Sequence, residues 1–303
     1  GVVAIGVIAG AITIGNKLTN SPKVATATSN EMMVPSLTVT RIPPTQTEIP
    51  PTPTQNPPTP TQKLTIGSTQ ISAKDGMVLM YVPAGEFLMN SPDDLQDYTA
   101  YLDAFWVDQT EVTNEMFQKC IAAGVCNNGK PNNYEEKADR KPFYTFSPES
   151  KNYPAGIVTR IQAVQYCKWV GRSLPTNEQW EKAARGTDGR RYPWGNVFNC
   201  TNGNFDDETQ LDKEMVAGAI NCDGFPNSSP VGSYPQGKSP YDALDMAGNL
   251  WEWVTDSGTK SGILRGGSYT RAEAWPWTTY RYRYPEDWAM PITGFRCVLW
   301  DKN

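Results

Sequence analysis

The chemistry open to this chain is bounded first by a residue type it lacks. None of its 303 residues is histidine. That removes Ser-His-Asp and Cys-His catalysis, imidazole metal sites and histidine-ligated haem together. It also removes the side chain that normally titrates near neutrality, so no pH switch of that kind is expected. Six cysteines stand at 120, 126, 167, 200, 222 and 297. Their number is even and none forms a Cys-x-x-Cys pair. In a chain of exported character they read as three disulfides, the alternative being buried free thiols. The chemistry that remains belongs to carboxylates, cysteine, lysine, tyrosine and bound ions.

A second concentration of chemically capable residues lies at 269–288, YTRAEAWPWTTYRYRYPEDW, with three Trp, four Tyr and three Arg. These are the residue types that dominate binding hot spots. Arg271, Trp275, Trp277, Tyr280, Arg281 and Trp288 are therefore candidates for a binding surface that could hold a peptide, a glycan or a neighbouring subunit. The competing reading is that Tyr280, Tyr282 and Tyr284 alternate because they form a half-buried strand, with Arg281 and Arg283 on its other face. That reading leaves Trp275, Trp277 and Trp288 unexplained, because they fall around prolines in expected loop.

The elements that must position these residues are unevenly distributed. Residues 2–14, VVAIGVIAGAITI, form an uncharged apolar run. A spanning helix needs about 20 such residues, so the run reads as part of a membrane anchor over 1–20, with a signal-peptide core as the competing reading. Gly6 and Gly10 give a small-xxx-small spacing that lets a second helix approach closely in lipid. Lipid and other membrane-protein subunits are the partners this implies, with a single span and the C-terminal domain extracytoplasmic. Residues 21–76 are a linker whose run IPPTPTQNPPTPTQ cannot build a core and reads as an extended, polyproline-like stalk. Its segment 43–62 alone could reach about 60 Å, and its threonines could carry O-glycans.

Residues 77–303 carry the Trp, Tyr and Cys and are long enough for one well-buried domain. Net charge is −5 without any basic run, which gives a nucleic-acid partner no support. The pattern MVLMYVPAGEFLM, broken at Pro83-Ala84-Gly85, predicts a hairpin. Helices are predicted after Thr113, ending at Gly124; after Thr159, ending at Gly171; and from Thr176, where Gln179 completes a capping box, to the residue before Gly186. Gly, Pro, Asn and Trp alternate with short apolar runs elsewhere, which predicts an irregular, loop-dominated α+β domain.

Several strings taken together resemble one family. They are PAGEFLMNS at 83–91, VDQTEVTNEMF at 107–117, AVQYCKWVGRSLPTNEQWEKAARG at 163–186, YPWGN at 192–196, PVGSYPQGKSPYDALDMAGNLWEW at 230–253, RGGSY at 265–269 and GFRC at 294–297. Their order and spacing are similar to the sulfatase-modifying, formylglycine-generating enzymes and their relatives, over about residues 77–299. The resemblance implies a C-type-lectin-like fold with little regular secondary structure. It also implies that residues 269–288 line the substrate cleft, which some relatives use as a variable ligand-binding surface.

Active members of that family oxidise a sulfatase cysteine to formylglycine, using two C-terminal cysteines that bind copper and activate oxygen. The first thiol follows the Ser of RGGSY by three residues. Here Ser268 is followed by Arg271 at that position and Ala272 next to it, and the second thiol position falls near Pro276 or Thr279. No cysteine occurs between Cys222 and Cys297, and neither Arg nor Pro replaces a soft thiolate on Cu(I). No copper and no catalytic residues are therefore expected. Related iron-dependent sulfoxide synthases need histidines that are absent.

Other family positions carry over. Cys167 and Cys297 match a structural disulfide. Cys120–Cys126 would close a short loop after the first helix, and Cys200–Cys222 would be left as a pair by elimination among 15 formal pairings. The resemblance also implies two structural calcium sites: one from the Asp245 and Glu252 side chains with the Gly248 and Leu250 carbonyls, the other from Asn204, Asp223 and the Phe205 and Phe225 carbonyls. The plainer reading of these carboxylates is ordinary turn and cap residues. The expectation is a noncatalytic, calcium-stabilised module on a stalk, serving as an accessory subunit of a membrane complex. The alternatives are a divergent formylglycine-generating oxidase or a glycan- or peptide-binding surface adhesin.

Overall fold

Short aromatic and β-branched runs between Gly- and Asn-rich turns become short strands, and three Thr-capped segments become short helices. The computed structural model describes residues 63–91, 96–127, 148–205, 222–255, 261–270 and 277–301. The apolar run with Gly6 and Gly10, most of the Pro/Thr-rich linker, and Arg271 and Trp275 lie outside the described residues. Among the described residues no helix is long and apolar enough to cross a membrane.

The fold mixes helix and sheet. β1 (Thr69–Ile71), β2 (Val78–Val82), β5 (Phe105–Asp108) and β10 (Val298–Trp300) form an antiparallel sheet in the order β1-β2-β5-β10. β3 (Gly85–Asn90) and β4 (Asp97–Leu102) make a separate two-stranded ribbon. A third sheet has the order β8-β7-β6-β9, from β6 (Trp251–Val254), β7 (Ser261–Arg265), β8 (Tyr282–Pro285) and β9 (Thr293–Gly294).

The hairpin expected across Pro83-Ala84-Gly85 does not form. β2 pairs with β1 and β5, whereas β3 pairs with β4. The buried Lys182 ammonium donates to the carbonyls of Pro83 and Gly85, each at 2.9 Å. It thereby holds the connection open as a crossing between two sheets. Those carbonyls find a charged donor instead of a turn partner, and backbone acceptors in a buried place need one or the other.

The helices follow their caps. α1 (Asn114–Ala122) starts where the Thr113 hydroxyl accepts from Met116 N. α2 (Arg160–Trp169) carries a full capping box between Thr159 and Gln162, and α3 (Asn177–Arg185) carries the expected one between Thr176 and Gln179. α3 ends at Gly186, whose φ of 71° favours glycine.

One core cluster gathers Phe117, Tyr166, Trp251, Trp253 and Phe295 around the Cys167–Cys297 bridge. A second gathers Val82, Phe105, Trp180, Val254 and Val298 beneath α3. All six cysteines are paired: Cys120–Cys126, Cys167–Cys297 and Cys200–Cys222. The second bridge spans 130 residues and ties α2 to the start of β10.

Candidate functional site

Glu181 lies on the inward face of α3 with none of its surface exposed. A carboxylate so placed needs donors, and four reach it: Asn90 N at 2.7 Å, Arg265 at 2.7 Å, Arg281 at 2.9 Å and Arg185 at 3.4 Å. Arg185 is one helical turn further along α3, so the i,i+4 spacing aims both side chains the same way. Its guanidinium also forks onto Asp97 of β4, at 2.7 and 3.0 Å. Those bonds hold the Asp97 carboxyl below its ordinary range. Burial brings Arg265 down to about 10, so it remains charged at neutral pH.

Above this charged floor opens a cleft of about 1120 Å³, lined among others by Asn90, Asp97, Arg185, Arg191, Trp277, Tyr280, Arg281 and Arg283. The Trp277 indole donates to the Tyr192 hydroxyl at 3.0 Å, and Tyr192 stacks on Trp194 at 5.2 Å. Arg191 lies over the Trp277 ring, its guanidinium carbon 4.7 Å from the centroid. Thr278 bonds the carbonyls of Arg190 and Arg191, pinning this wall to the approach to β8.

The structure divides the candidate binding surface. Trp277, Tyr280 and Arg281 line the cleft. Trp288 does not: it is 42% exposed and sits edge-on to Tyr284, on the opposite side of β8. The reason is strand alternation. Tyr282 and Tyr284 turn onto Trp251 and Trp253, while Arg283 is exposed and faces the cleft. Arg271 and Trp275 lie outside the described residues. Sequence reading missed Glu181, Arg185 and Asp97, although the Glu-x-x-x-Arg spacing on α3 was visible in it. Asn90 and Arg191 gave no local signal.

The two candidate calcium sets differ in fit. In the first, both Glu252 oxygens are engaged by Arg296 at 2.7 Å, and one also accepts from the Trp180 indole at 2.8 Å. Asp245 accepts from Gly232 N at 2.6 Å. A further carboxylate, Glu111, joins them and accepts from Asn249 and from Leu250 N. Burial, then Asp245 and Glu252, push Glu111 well above its ordinary value, and burial pushes Asp245 up to about 6. Two further buried carboxylates thus lie near the Glu252–Arg296 pair, but Glu252 already has its partners, so this set fits a cation less well than the second.

In the second set Asn204 Oδ1 is buried and has no hydrogen-bond partner among the described residues. A buried orphan acceptor is costly and fits a hard cation. Asp223 accepts from Phe205 N and Phe225 N at 2.8 and 2.9 Å, which draws the two segments that carry the candidate ligands onto one carboxylate. Gly248 closes the wall between the sets: its φ is 85°, and a Cβ there would stand 2.3 Å from the Asn204 carbonyl. Among the described residues no three acidic or thiol side chains converge as a metal set by themselves, so both sets depend on carbonyl oxygens.

Residues 64–300 match the family described as the sulfatase-modifying factor enzyme 1-like domain. "Inactive C-alpha-formylglycine-generating enzyme 2" of Mus musculus is 36% identical over 160 residues, covering 50% of this chain and 50% of that protein. The chain thus spans about half the length of that relative. "Formylglycine-generating enzyme" of Bos taurus is 26% identical over 281 residues, covering 72% of this chain and 73% of that protein. The solved structure of PvdO from Pseudomonas aeruginosa superposes with a TM-score of 0.63 at 20% identity, covering 79% of this chain and 100% of that one. At such identity the likeness establishes the fold.

Proposed function

This chain belongs to the sulfatase-modifying factor enzyme 1-like domain family, and we propose that it is a noncatalytic, membrane-tethered, extracytoplasmic binding and assembly module within it. The observation that carries the proposal is that all six cysteines are consumed in three disulfides. The resembled copper chemistry needs two thiolates near the C-terminus. Here Ser268 of the RGGSY string is followed by Arg271, and the next cysteine, Cys297, is bonded to Cys167. Disulfide sulfur offers no thiolate to Cu(I). A mouse relative that is named inactive agrees with this reading.

Binding is supported by the cleft, and tethering by the apolar run at 2–14 and the stalk that follows it. Structural calcium would be held by Asn204, Asp223 and the Phe205 and Phe225 carbonyls, and by Asp245, Glu252 and the Gly248 and Leu250 carbonyls. There it would supply charge neutralisation and cross-link the loops. The test has two arms on the full chain in mild detergent. Copper titration and oxygen uptake with a cysteine-containing peptide should both be null. Co-purification should recover defined membrane partners, and a clean monomer would count against the assembly role.

A further inference from the structure

We infer that the cleft between α3, the β3–β4 ribbon and β8 binds an acidic glycan, gripping anionic groups with arginine and sugar faces with aromatics. The inference rests on the noncatalytic binding role proposed above and names the ligand class. Its first support is charge. Three guanidiniums, of Arg185, Arg191 and Arg281, line the cleft against Asp97, the one carboxylate among its described lining residues, in a chain whose net charge is −5. Glu181, beneath the floor, is shared among Arg185, Arg265 and Arg281 and leaves the excess in place.

Arg191 is the most informative of these. It is exposed, it stacks on Trp277, and no carboxylate pairs with it among the described residues. A planar guanidinium fixed on an aromatic face presents its N–H fork in one direction, the geometry that takes a carboxylate or sulfate by two bonds. Trp277 and Tyr280 are half-buried in the same wall, and such rings accept the C–H face of a pyranose. A peptide anchored by apolar side chains finds little to fill, because Ile263 is the one aliphatic residue among the described lining residues.

The full chain is titrated calorimetrically with tetragalacturonate, a heparin-derived tetrasaccharide, a neutral galactose tetrasaccharide and hexaglutamate. Saturable binding of either acidic glycan, and of neither the neutral chain nor hexaglutamate, supports the inference; the first two arms tell carboxylate from sulfate. Arg191→Gln should weaken it about tenfold, the scale of one lost charge-assisted contact. Arg283→Gln, also at an exposed position, should weaken it too, and Lys238→Gln, outside the cleft, should not. The inference is overturned by equal binding of the neutral chain, by equal binding of hexaglutamate, by no binding of either acidic glycan, or by indifference to Arg191→Gln. A neutral glycan whose binding is lost in Trp277→Ala would leave the noncatalytic binding role standing while overturning this one. Oxygen uptake with a cysteine peptide would instead remove that role whatever the glycan result.

Discussion

Replacing Glu181 by Gln probes the charged floor on which the cleft is built. Its carboxylate is the common acceptor for Arg265, Arg281 and Arg185, whose side chains are 0, 9 and 6% exposed. Gln keeps an acceptor for Asn90 N but removes the charge, so among the described residues the three guanidiniums are left with Asp97, paired to Arg185, and the more distant Glu178. Removing one partner of a buried ion pair costs about 3–5 kcal/mol, because the other charge stays buried. In a domain of this size that corresponds to a fall in melting temperature on the order of 10 °C. Chemical denaturation should show the midpoint moving at constant slope, the mark of a lost interaction in the folded state. The double variant Glu181→Gln/Arg265→Met should lose less than the sum of its singles, since the orphaned charge goes with its partner. A loss below about 1 kcal/mol for Glu181→Gln would refute the reasoning, because a pair that cheap is a solvated one.

Three further outcomes follow from the same structure. Loops of 130, 22 and 6 residues predict that removing Cys167–Cys297, Cys200–Cys222 or Cys120–Cys126 as Ala pairs costs about 5, 3 and 2 kcal/mol in that order by loop entropy; equilibrium unfolding of the three double variants checks the ranking. Burial pushes Asp75 up, yet Arg172 and hydrogen bonds from Tyr166 and Met77 N hold its carboxyl below 3.8 overall. Its contribution to stability is therefore complete above the unfolded value and lost as pH falls through the folded one, and Asp75→Asn should flatten acid unfolding below about pH 4. Asp108, which shares Arg172 and is pushed up to about 7 by burial, works with the opposite sign between pH 4 and 7, so the two are separable by window. Chelation by EDTA should lower the melting temperature of the native chain and do so less in Asn204→Ala; site saturation at a hundredfold over Kd is worth about 2.7 kcal/mol.

Much of this was legible in local sequence signals. Thr113, Thr159 and Thr176 cap helices because a β-region hydroxyl before an amphipathic run meets an orphan N–H. The alternation of Tyr282, Arg283 and Tyr284 is a strand with two unlike faces, and it separates Trp288 from the cleft that Trp277 lines. The failure at Pro83-Ala84-Gly85 came from Lys182, a residue about 100 positions away whose ammonium decides where those carbonyls point. The cleft floor was hidden for the same reason. Glu181, Arg265 and Arg281 carry no common motif and meet only because Arg265, at the end of β7, and Arg281, just ahead of β8, both reach the inward face of α3. Glu111 likewise reaches Asn249 across 138 residues, so its place in the carboxylate cluster has no signature within either segment.

The most direct measurement is oxygen uptake by the purified full chain, preloaded with Cu(I), in the presence of a cysteine-containing peptide and a reductant. With Cys167 and Cys297 bonded to each other and the remaining four cysteines paired, no peptide-dependent uptake and no stoichiometric copper retention are expected. Sustained oxygen consumption that converts the peptide's cysteine to an aldehyde would contradict the account.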